Sequence, residues 1–113
     1  MRLPKPKKSY CTESFVYREY LGENKWSEPA YAEPVTIENC RIDRWPEFTS
    51  TASGRQILYN AVIYCYAGIT NPLPEFKMQS IIHFDGRDHT VTKVIPIYEP
   101  FRRSLYSYEL EVV

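Results

Sequence analysis

The sequence predicts an all-β fold, a small antiparallel β-barrel with long loops between its strands. The evidence is strongest in the last third of the chain, where β-rich runs flank Asp85-Gly86 and a further run closes the chain. Asp-Gly tolerates the positive φ angles of a type I′ turn and therefore favours a two-residue hairpin. Residues 104–113 alternate apolar with polar side chains, as in a strand with one buried and one solvated face. The apolar set comprises Tyr106, Tyr108, Leu110 and Val112, and the polar set Ser107, Glu109 and Glu111.

Length and composition indicate a single domain without a disulfide framework. The chain has 113 residues, enough for one hydrophobic core. Its 14 basic and 14 acidic residues cancel, so bulk charge gives no support to general nucleic-acid binding. Cys11, Cys40 and Cys65 are odd in number and widely spaced, which favours small buried side chains over disulfides or a zinc site. Neither a secretory signal nor a membrane span is expected, which predicts a soluble protein made in a reducing cytoplasm.

The N-terminal part divides into a tail, a strand and a loop. Residues 1–9 are rich in Lys and Pro and are predicted to form a flexible, extended basic tail. Residues 10–113 are predicted to form the barrel domain, beginning with a strand at Thr12–Leu21. Turn residues and prolines then predict a loop at Gly22–Pro34. The aromatic side chains expected to anchor this loop are Trp26 and Tyr31.

The middle of the chain predicts two strands separated by an irregular loop. Apolar residues in Val35–Trp45 change face part-way along, which indicates a β-bulge near Glu38–Asn39. Small polar residues make Pro46–Arg55 the most mobile interior segment by composition. The strand predicted at Gln56–Tyr66 is apolar on both faces, so we expect the core to cover one face and a neighbouring subunit the other.

The C-terminal part predicts a stiff loop and three strands. Two prolines stiffen Gly68–Phe76 into an extended loop. The strands are expected at Gln79–Phe84, Arg87–Ile97 and Ser104–Val113. Because proline cannot donate to a β-ladder, Pro96 indicates an edge position or a bulge in the middle strand of the three.

No catalytic motif emerges from the sequence. It contains no P-loop, nucleophile elbow or HExxH helix, so we expect no enzyme, no catalytic residue and no cofactor. With a two-residue turn, His83 faces Asp88 across the hairpin and His89 lies on the opposite face, so the histidines do not share a metal. A three-residue loop would instead place them opposite each other. The preferred interpretation is an exposed His83–Asp88 pair and no metal site.

Two kinds of segment remain as candidates for function. Unstructured loops as long as Phe48–Arg55 are uncommon in compact domains unless they are functional. Two basic clusters, one in the tail and one in the last turn, are able to meet phosphates, an acidic partner surface or only water. Their members are Arg2, Lys5, Lys7 and Lys8 in the tail and Arg102 and Arg103 in the turn.

The order of several segments resembles the minor capsid protein family encoded in head–tail gene clusters of tailed bacteriophages. It is also similar to the head-completion, or stopper, proteins of long-tailed phages. The similarity spans almost all of residues 10–113, and its motifs are specific in their order and spacing. The segments are WSEPAYAEPVTIENCRID (26–43), ILYNAVIY (57–64), IIHFDGRDHTVTKV (81–94) and YELEV (108–112).

The resemblance implies a small SH3-like β-barrel with long loops that assembles below the portal. The implied assembly is a homo-oligomeric ring of portal-like, twelvefold symmetry in the virion neck, built in the bacterial host cytoplasm without membrane contact. The ring would bind portal or adaptor proteins on one side and a tail-completion or tail-terminator protein on the other. It would close the channel around genomic DNA without reading its sequence.

The resemblance also assigns roles to loops, by their position in the chain. The loop Pro46–Arg55 corresponds to the channel-lining loop of stoppers, which implies lumen or gating roles for Phe48, Thr49, Ser50 and Arg55. The implied subunit or adaptor contacts are Lys5, Lys7, Lys8, Asn71, Leu73, Arg102 and Arg103.

Two alternative functions remain at this point. One is another neck or tail-end component, such as a tail terminator or tail-completion protein, which would also be a small β-rich ring former. The other is a monomeric barrel module of SH3-like or OB type that binds peptide or nucleic acid. An OB-type binder should interleave aromatic and basic residues on one sheet face. Tyr106 and Tyr108 instead share a face with Leu110 and Val112, which is typical of a core.

Overall fold

The computed structural model describes residues 4–52, 54–101 and 103–113. In these ranges a short 3-10 helix at Lys8–Tyr10 precedes ten strands. The strands are β1 (Glu13–Arg18), β2 (Tyr20–Glu23), β3 (Pro29–Tyr31), β4 (Val35–Asp43), β5 (Glu47–Thr51), β6 (Gly54–Tyr59), β7 (Ala61–Tyr66), β8 (Ile81–Phe84), β9 (Arg87–Tyr98) and β10 (Leu105–Val112). The all-β prediction is therefore confirmed.

Six strands close into an antiparallel barrel in the order β1-β4-β7-β10-β9-β8, with β8 again beside β1. The β8–β9 hairpin has the predicted two-residue turn: Phe84 pairs with Arg87 and His83 with Asp88. Both turn residues have positive φ angles, 53° at Asp85 and 76° at Gly86. Closure leaves the barrel strands with neighbours on both sides, which protects a small sheet from edge-to-edge aggregation.

The barrel interior is filled by alternate residues of its strands. On β7 and β10 the inward side chains form cross-strand pairs, such as Leu110 with Ile63 and Val112 with Ala61. The predicted alternation of β10 is confirmed at Leu110 and Val112, which are fully buried, and Tyr108 packs against the core. It is wrong at Ser107, which was expected on the solvated face but is 2% exposed, because the pairing of β10 with β9 shifts register between Leu105 and Ser107. Burial of these apolar surfaces supplies the main stabilisation of the fold. The three cysteines are free and buried, as expected.

The predicted bulge in β4 is confirmed at Asn39. Glu13 of β1 pairs with Cys40 while Ser14 pairs with Glu38, so Asn39 is the additional residue. Its φ angle of 61° lies in the left-handed region, which asparagine tolerates better than most side chains. The extra residue brings Ile37 and Cys40, on either side of the bulge, onto the same buried face.

Replacing Asn39 with valine should therefore destabilise the barrel. A β-branched side chain at a left-handed φ costs roughly 1–2 kcal/mol, and the free energy of unfolding should fall by about that amount. Urea unfolding followed by tyrosine fluorescence measures the change. Asn39→Gly should be nearly neutral, because glycine adopts this φ without steric cost. Equal losses in both variants would contradict the role assigned to the bulge.

Two predicted loops contain paired strands. The strand expected at Thr12–Leu21 is divided between β1 and β2, and β2 pairs with β3 inside the segment expected to be a loop. The segment Pro46–Arg55 was expected to be irregular, but most of it belongs to the β5–β6 hairpin. The pairing of this hairpin begins with Glu47 opposite Tyr59 and ends with Thr51 opposite Gly54. The strand expected at Gln56–Tyr66 is therefore two strands that meet at Asn60. The three outer pairs, from Thr49–Gln56 to Thr51–Gly54, have no apolar period, which explains why the pattern missed this hairpin.

The outer face of β7 is partly covered within the chain. Val62, Tyr64 and Tyr66 are half-buried, although they point away from the core. The Arg41 guanidinium lies 5.4 Å from the centre of the Tyr64 ring, and the ring centres of Tyr66 and Tyr106 are 6.0 Å apart. The outer face of β7 was expected to be buried by a neighbouring subunit, and contacts within the chain provide part of that burial.

Pro96 occupies an edge, as predicted. It pairs with Tyr108 of β10, whereas β8 pairs with β9 only through Arg87–Thr90. The upper part of β9 therefore extends past its neighbour β8. A proline on this edge removes a donor that another strand could pair with.

Candidate functional site

The barrel has two ends with different attachments. The lower end holds Asp43, Ala61 and the Asp85-Gly86 turn, and the β5–β6 hairpin, here called the long ribbon, continues from it. The upper end carries the β2–β3 hairpin and the turn between β9 and β10. With these two projections the molecule is elongated, and it measures 46 × 37 × 29 Å along its principal axes.

The long ribbon contains all four residues predicted to line or gate a channel. Phe48 is 43% exposed, and the Arg55 guanidinium stacks over its ring at 5.3 Å from the ring centre. Ser50 pairs with Arg55 and both are exposed. Thr49 pairs with Gln56 across the ribbon. The structure thus brings these residues onto one two-stranded projection instead of a loop.

An ion cluster holds the root of the ribbon against the barrel. Arg44 follows β4 and donates to both carboxylate oxygens of Glu13, at 2.6 and 3.2 Å, and to Asp85. Its guanidinium also lies 5.7 Å from the centre of the Phe84 ring. The hydrogen bond from Arg44 lowers the pKa of Asp85 and the same contact raises the pKa of Arg44. One side chain therefore ties the ribbon root to β1 and to the β8–β9 turn.

A buried histidine lies beside this cluster. His89 is only 6% exposed and its ring stacks on Phe84, with ring centres 4.1 Å apart. Within the described part of the chain, its Nδ1 atom has no hydrogen-bond partner. Burial, together with the positive charge of Arg87, lowers the pKa of His89. The neutral imidazole therefore suits this position better than the imidazolium.

The stability of the barrel should consequently decline in mild acid. Because the pKa of His89 is lower in the folded than in the unfolded chain, the unfolded chain binds more protons below about pH 6.5. The free energy of unfolding should then fall with decreasing pH, with a slope of at most about 1.4 kcal/mol per unit. Denaturant titrations at several pH values measure it. His89→Phe should flatten this slope relative to wild type. An unchanged slope in His89→Phe would refute the assignment.

One residue of each predicted basic cluster, Lys5 of the tail and Arg103 of the last turn, lies at the upper end of the barrel, and Arg2 of the tail cluster lies outside the described residues. Lys5 donates a hydrogen bond to the Ala67 carbonyl, and its ammonium lies 5.6 Å from the centre of the Tyr106 ring. Lys5 is thereby held close to Arg103, although the two residues are far apart in sequence. The two cations line one cavity of about 590 Å³, with Gly68 and Leu105. A neighbouring cavity of about 480 Å³ shares Arg103 and adds Tyr98 and Phe101. We call the two cavities together the basic groove.

The other predicted contact residues have separate positions. Lys7 and Lys8 are exposed at the 3-10 helix. The Asn71 backbone exchanges hydrogen bonds with Glu38 at the bulge, and Leu73 packs against the core. Arg102 lies outside the described residues. The predicted tail contacts the barrel where the Tyr106 hydroxyl donates to the Pro4 carbonyl at 2.6 Å.

The tip of the β2–β3 hairpin presents a tryptophan that sequence reasoning assigned to the wrong environment. Trp26 was expected to anchor a loop, yet it is 69% exposed. Tyr31 does anchor the hairpin, since its ring contacts Tyr20 and the Arg18 guanidinium. The Glu-Asn-Lys-Trp-Ser sequence of a tight turn is the signal that could have placed Trp26 in solvent.

Catalytic and metal chemistry find little support in the described ranges. These residues contain no group of three or more His, Cys, Asp or Glu side chains placed to hold a metal ion. The His83–Asp88 pair is exposed, with 2.8 Å between Nδ1 and Oδ1, as predicted. Burial raises the pKa of Cys40 to about 12 and that of Cys65 further above its usual range, so neither is a thiolate at neutral pH. The described part of the chain contains no helix with the length and hydrophobicity that crossing a membrane requires.

Comparisons with known proteins identify the family. The profile of a family described as minor capsid protein matches residues 6–112. Uncharacterized protein ORF5 of Lactococcus phage LL-H is 34% identical over 80 residues, which is 68% of each chain. ORF5 of Lactococcus phage mv4 is 26% identical over 72 residues, 61% of this chain and 64% of that protein. No solved structure matches. The resemblance stated from the sequence segments is thereby confirmed, and the chain belongs to the phage minor capsid protein family.

Proposed function

We propose that this minor capsid protein is a head-completion protein, or stopper, which closes the DNA exit channel of the filled head and offers a docking surface to the tail. A phage minor capsid protein is a component of the virion, and the neck is its proposed position. The observation that carries the proposal is the long ribbon, a two-stranded projection from one end of a closed barrel. The role asks for no catalysis, in keeping with the absence of catalytic motifs.

The chemistry of the ribbon suits a surface that DNA must pass. Between Glu47 and Arg55 the ribbon sequence carries no charged residue and is rich in serine and threonine. Such a surface neither repels the phosphate backbone nor holds it by ion pairs. Arg55, stacked on Phe48, is the exception and supplies one cation per subunit. We propose these residues as the channel lining.

A ring is the assembly that this role requires. Repetition of one heterologous contact around an axis closes a ring, and each contact is permitted to be weak because many act together. We propose a homo-oligomeric ring of twelve subunits matched to the portal. Portal or adaptor proteins would bind one face, and a tail-completion or tail-terminator protein the other. Lys7, Lys8, Asn71 and Leu73 remain candidate contacts of these faces.

The test is the mass of complexes formed with DNA-filled, tailless heads of the same phage. The proposal expects the protein to join the heads in portal-matched copy number and to stop leakage of DNA. Binding to isolated tails or tail tubes, but not to heads, would contradict it and favour a tail-terminator or tail-completion protein. Binding to neither would also contradict it and favour a barrel module with another partner.

A further inference from the structure

The turn at residues 23–29, here called the Trp26 turn, has a hydrogen-bonded backbone and exposes the Trp26 indole ring to solvent. The Asn24 side-chain oxygen accepts hydrogen bonds from the backbone N–H groups of Trp26, at 2.8 Å, and Glu28, at 3.1 Å. The Asn24 N–H donates to the Glu28 carbonyl at 2.9 Å, and Ser27 adopts a left-handed φ of 59°. These bonds fix the backbone, so exposure of Trp26 does not follow from an unstructured loop.

An exposed tryptophan on a fixed backbone is typical of a binding hot spot. Tryptophan is enriched among the few residues that carry most of the affinity of an interface. A fixed turn reduces the conformational entropy lost when a partner binds. The contact described for the ring is with the Lys25 ammonium, which lies over one face at 4.8 Å from the ring centre. The remaining indole surface is available to another molecule.

The basic groove has the complementary chemistry. Tyr98 and Phe101 are 57% and 77% exposed and supply apolar ring surface. Lys5 and Arg103 supply two positive charges beside them. The Glu99 carboxylate accepts a hydrogen bond from the Ser104 hydroxyl at 2.9 Å, which orders the turn between β9 and β10. Among the described lining residues, cations therefore outnumber carboxylates.

The charges of the Trp26 turn match those of the groove. Glu23 and Glu28 flank the tryptophan and are exposed, whereas Lys25 is the one cation of the turn. The turn is thus net negative and apolar at its centre, and the described groove is net positive and apolar on one side. Complementary charges steer the encounter and fix the register of such a contact.

The position of the two surfaces favours contact between copies of the chain. In the six-stranded barrel β1, which leads into the β2–β3 hairpin, is three strands away from β10 in either direction. The Trp26 turn and the basic groove thus extend from opposite walls of the barrel, at the same upper end. Two different surfaces on opposite walls produce a heterologous contact, and repetition of that contact forms a ring when its rotation closes.

We propose that the Trp26 turn of one subunit docks in the basic groove of a second copy, with the indole against Tyr98 and Phe101 and Glu28 beside Arg103. This inference rests on the proposed ring and names its subunit interface. It deepens the earlier expectation for Lys5 and Arg103, since both become contacts between subunits.

The test uses the two tryptophans of the chain as internal reporters. Trp45, 72% exposed at the lower end, is the matched control for Trp26. In 15N NMR spectra the Trp26 indole resonance should shift with protein concentration, together with resonances of the groove, while that of Trp45 stays constant. A series up to about 1 mM detects even a contact of about 1 mM Kd. No shift of the Trp26 resonance in this range would overturn the proposal.

Variants test the same contact by mass. Sedimentation equilibrium should show at least about tenfold weaker self-association for Trp26→Ala and for Arg103→Glu, and wild-type association for Trp45→Ala. Mixing Arg103→Glu with Glu28→Arg should restore association between the two variants. Association of Trp26→Ala at wild-type strength would overturn the proposal and assign the turn to a different partner.

Binding of wild type and Trp26→Ala to tailless heads distinguishes failure of this inference from failure of the proposed function. If wild type and Trp26→Ala join tailless heads equally well and in equal copy number, the inference fails while the head-completion role stands. If the Trp26 contact forms in solution but neither protein joins heads, the role fails while the interface stands.

Discussion

Leu110→Ala is expected to lower the free energy of unfolding by about 2–5 kcal/mol, the range typical of leucine truncation in a packed core. Leu110 is fully buried and sits between Ile63 of β7 and Val94 of β9. Because hydrogen-bonded neighbours hold β10 on both sides in a closed barrel, the walls have little freedom to collapse into the space left by the side chain. Urea unfolding of dilute protein measures the loss.

Leu21→Ala is the matched control for this substitution. Leu21 belongs to β2 and is 56% exposed, so the same truncation should change the free energy of unfolding by less than about 0.5 kcal/mol. A small domain has only about 5–15 kcal/mol of stability, so the core variant should show a clearly lower urea midpoint. A loss below about 1 kcal/mol for Leu110→Ala would contradict its placement between β7 and β9.

Features that depend on a few neighbouring residues were predictable from the sequence. Asp85-Gly86 specified its turn through the φ angles it tolerates, and that turn fixed the register of His83 with Asp88. The change of apolar face in β4 located the bulge at Asn39, because period-2 alternation allows no other explanation for buried Ile37 and Cys40. Local backbone chemistry and alternation carry this information directly.

Features that depend on pairing between distant or polar segments were not predictable. The outer part of the ribbon, residues 49–56, has few apolar side chains to mark a face, so its strands are defined by backbone pairing. Lys5 and Arg103 lie in separate parts of the sequence and meet only because the tail lies against the upper end of the barrel. Trp26 was misplaced because its size suggested burial, whereas hydrogen bonds of the Asn24 side chain determine its exposure.

Under the proposed head-completion role, shortening the long ribbon is expected to abolish retention of DNA without unfolding the protein. Phe48 and Ile57 are cross-strand partners, so residues 49–56 are replaceable by Asn-Gly, which closes a two-residue hairpin between them. The barrel pairs its six strands without β5 and β6, so the variant should retain near wild-type unfolding stability. It should join tailless heads, yet DNA should leak as from heads that received no protein.

Copy number and ribbon length separate the possible causes of such a leak. The variant must be counted on the heads at wild-type occupancy, since an incomplete ring would leak for a different reason. Ser50→Ala keeps the length of the ribbon and should retain DNA as wild type does, because it removes only one exposed hydroxyl. If the shortened protein fills the ring and still retains DNA, the ribbon is not the gate. In the proposed role, closure would then come from the barrel or from the upper end, where the Trp26 turn and the basic groove lie.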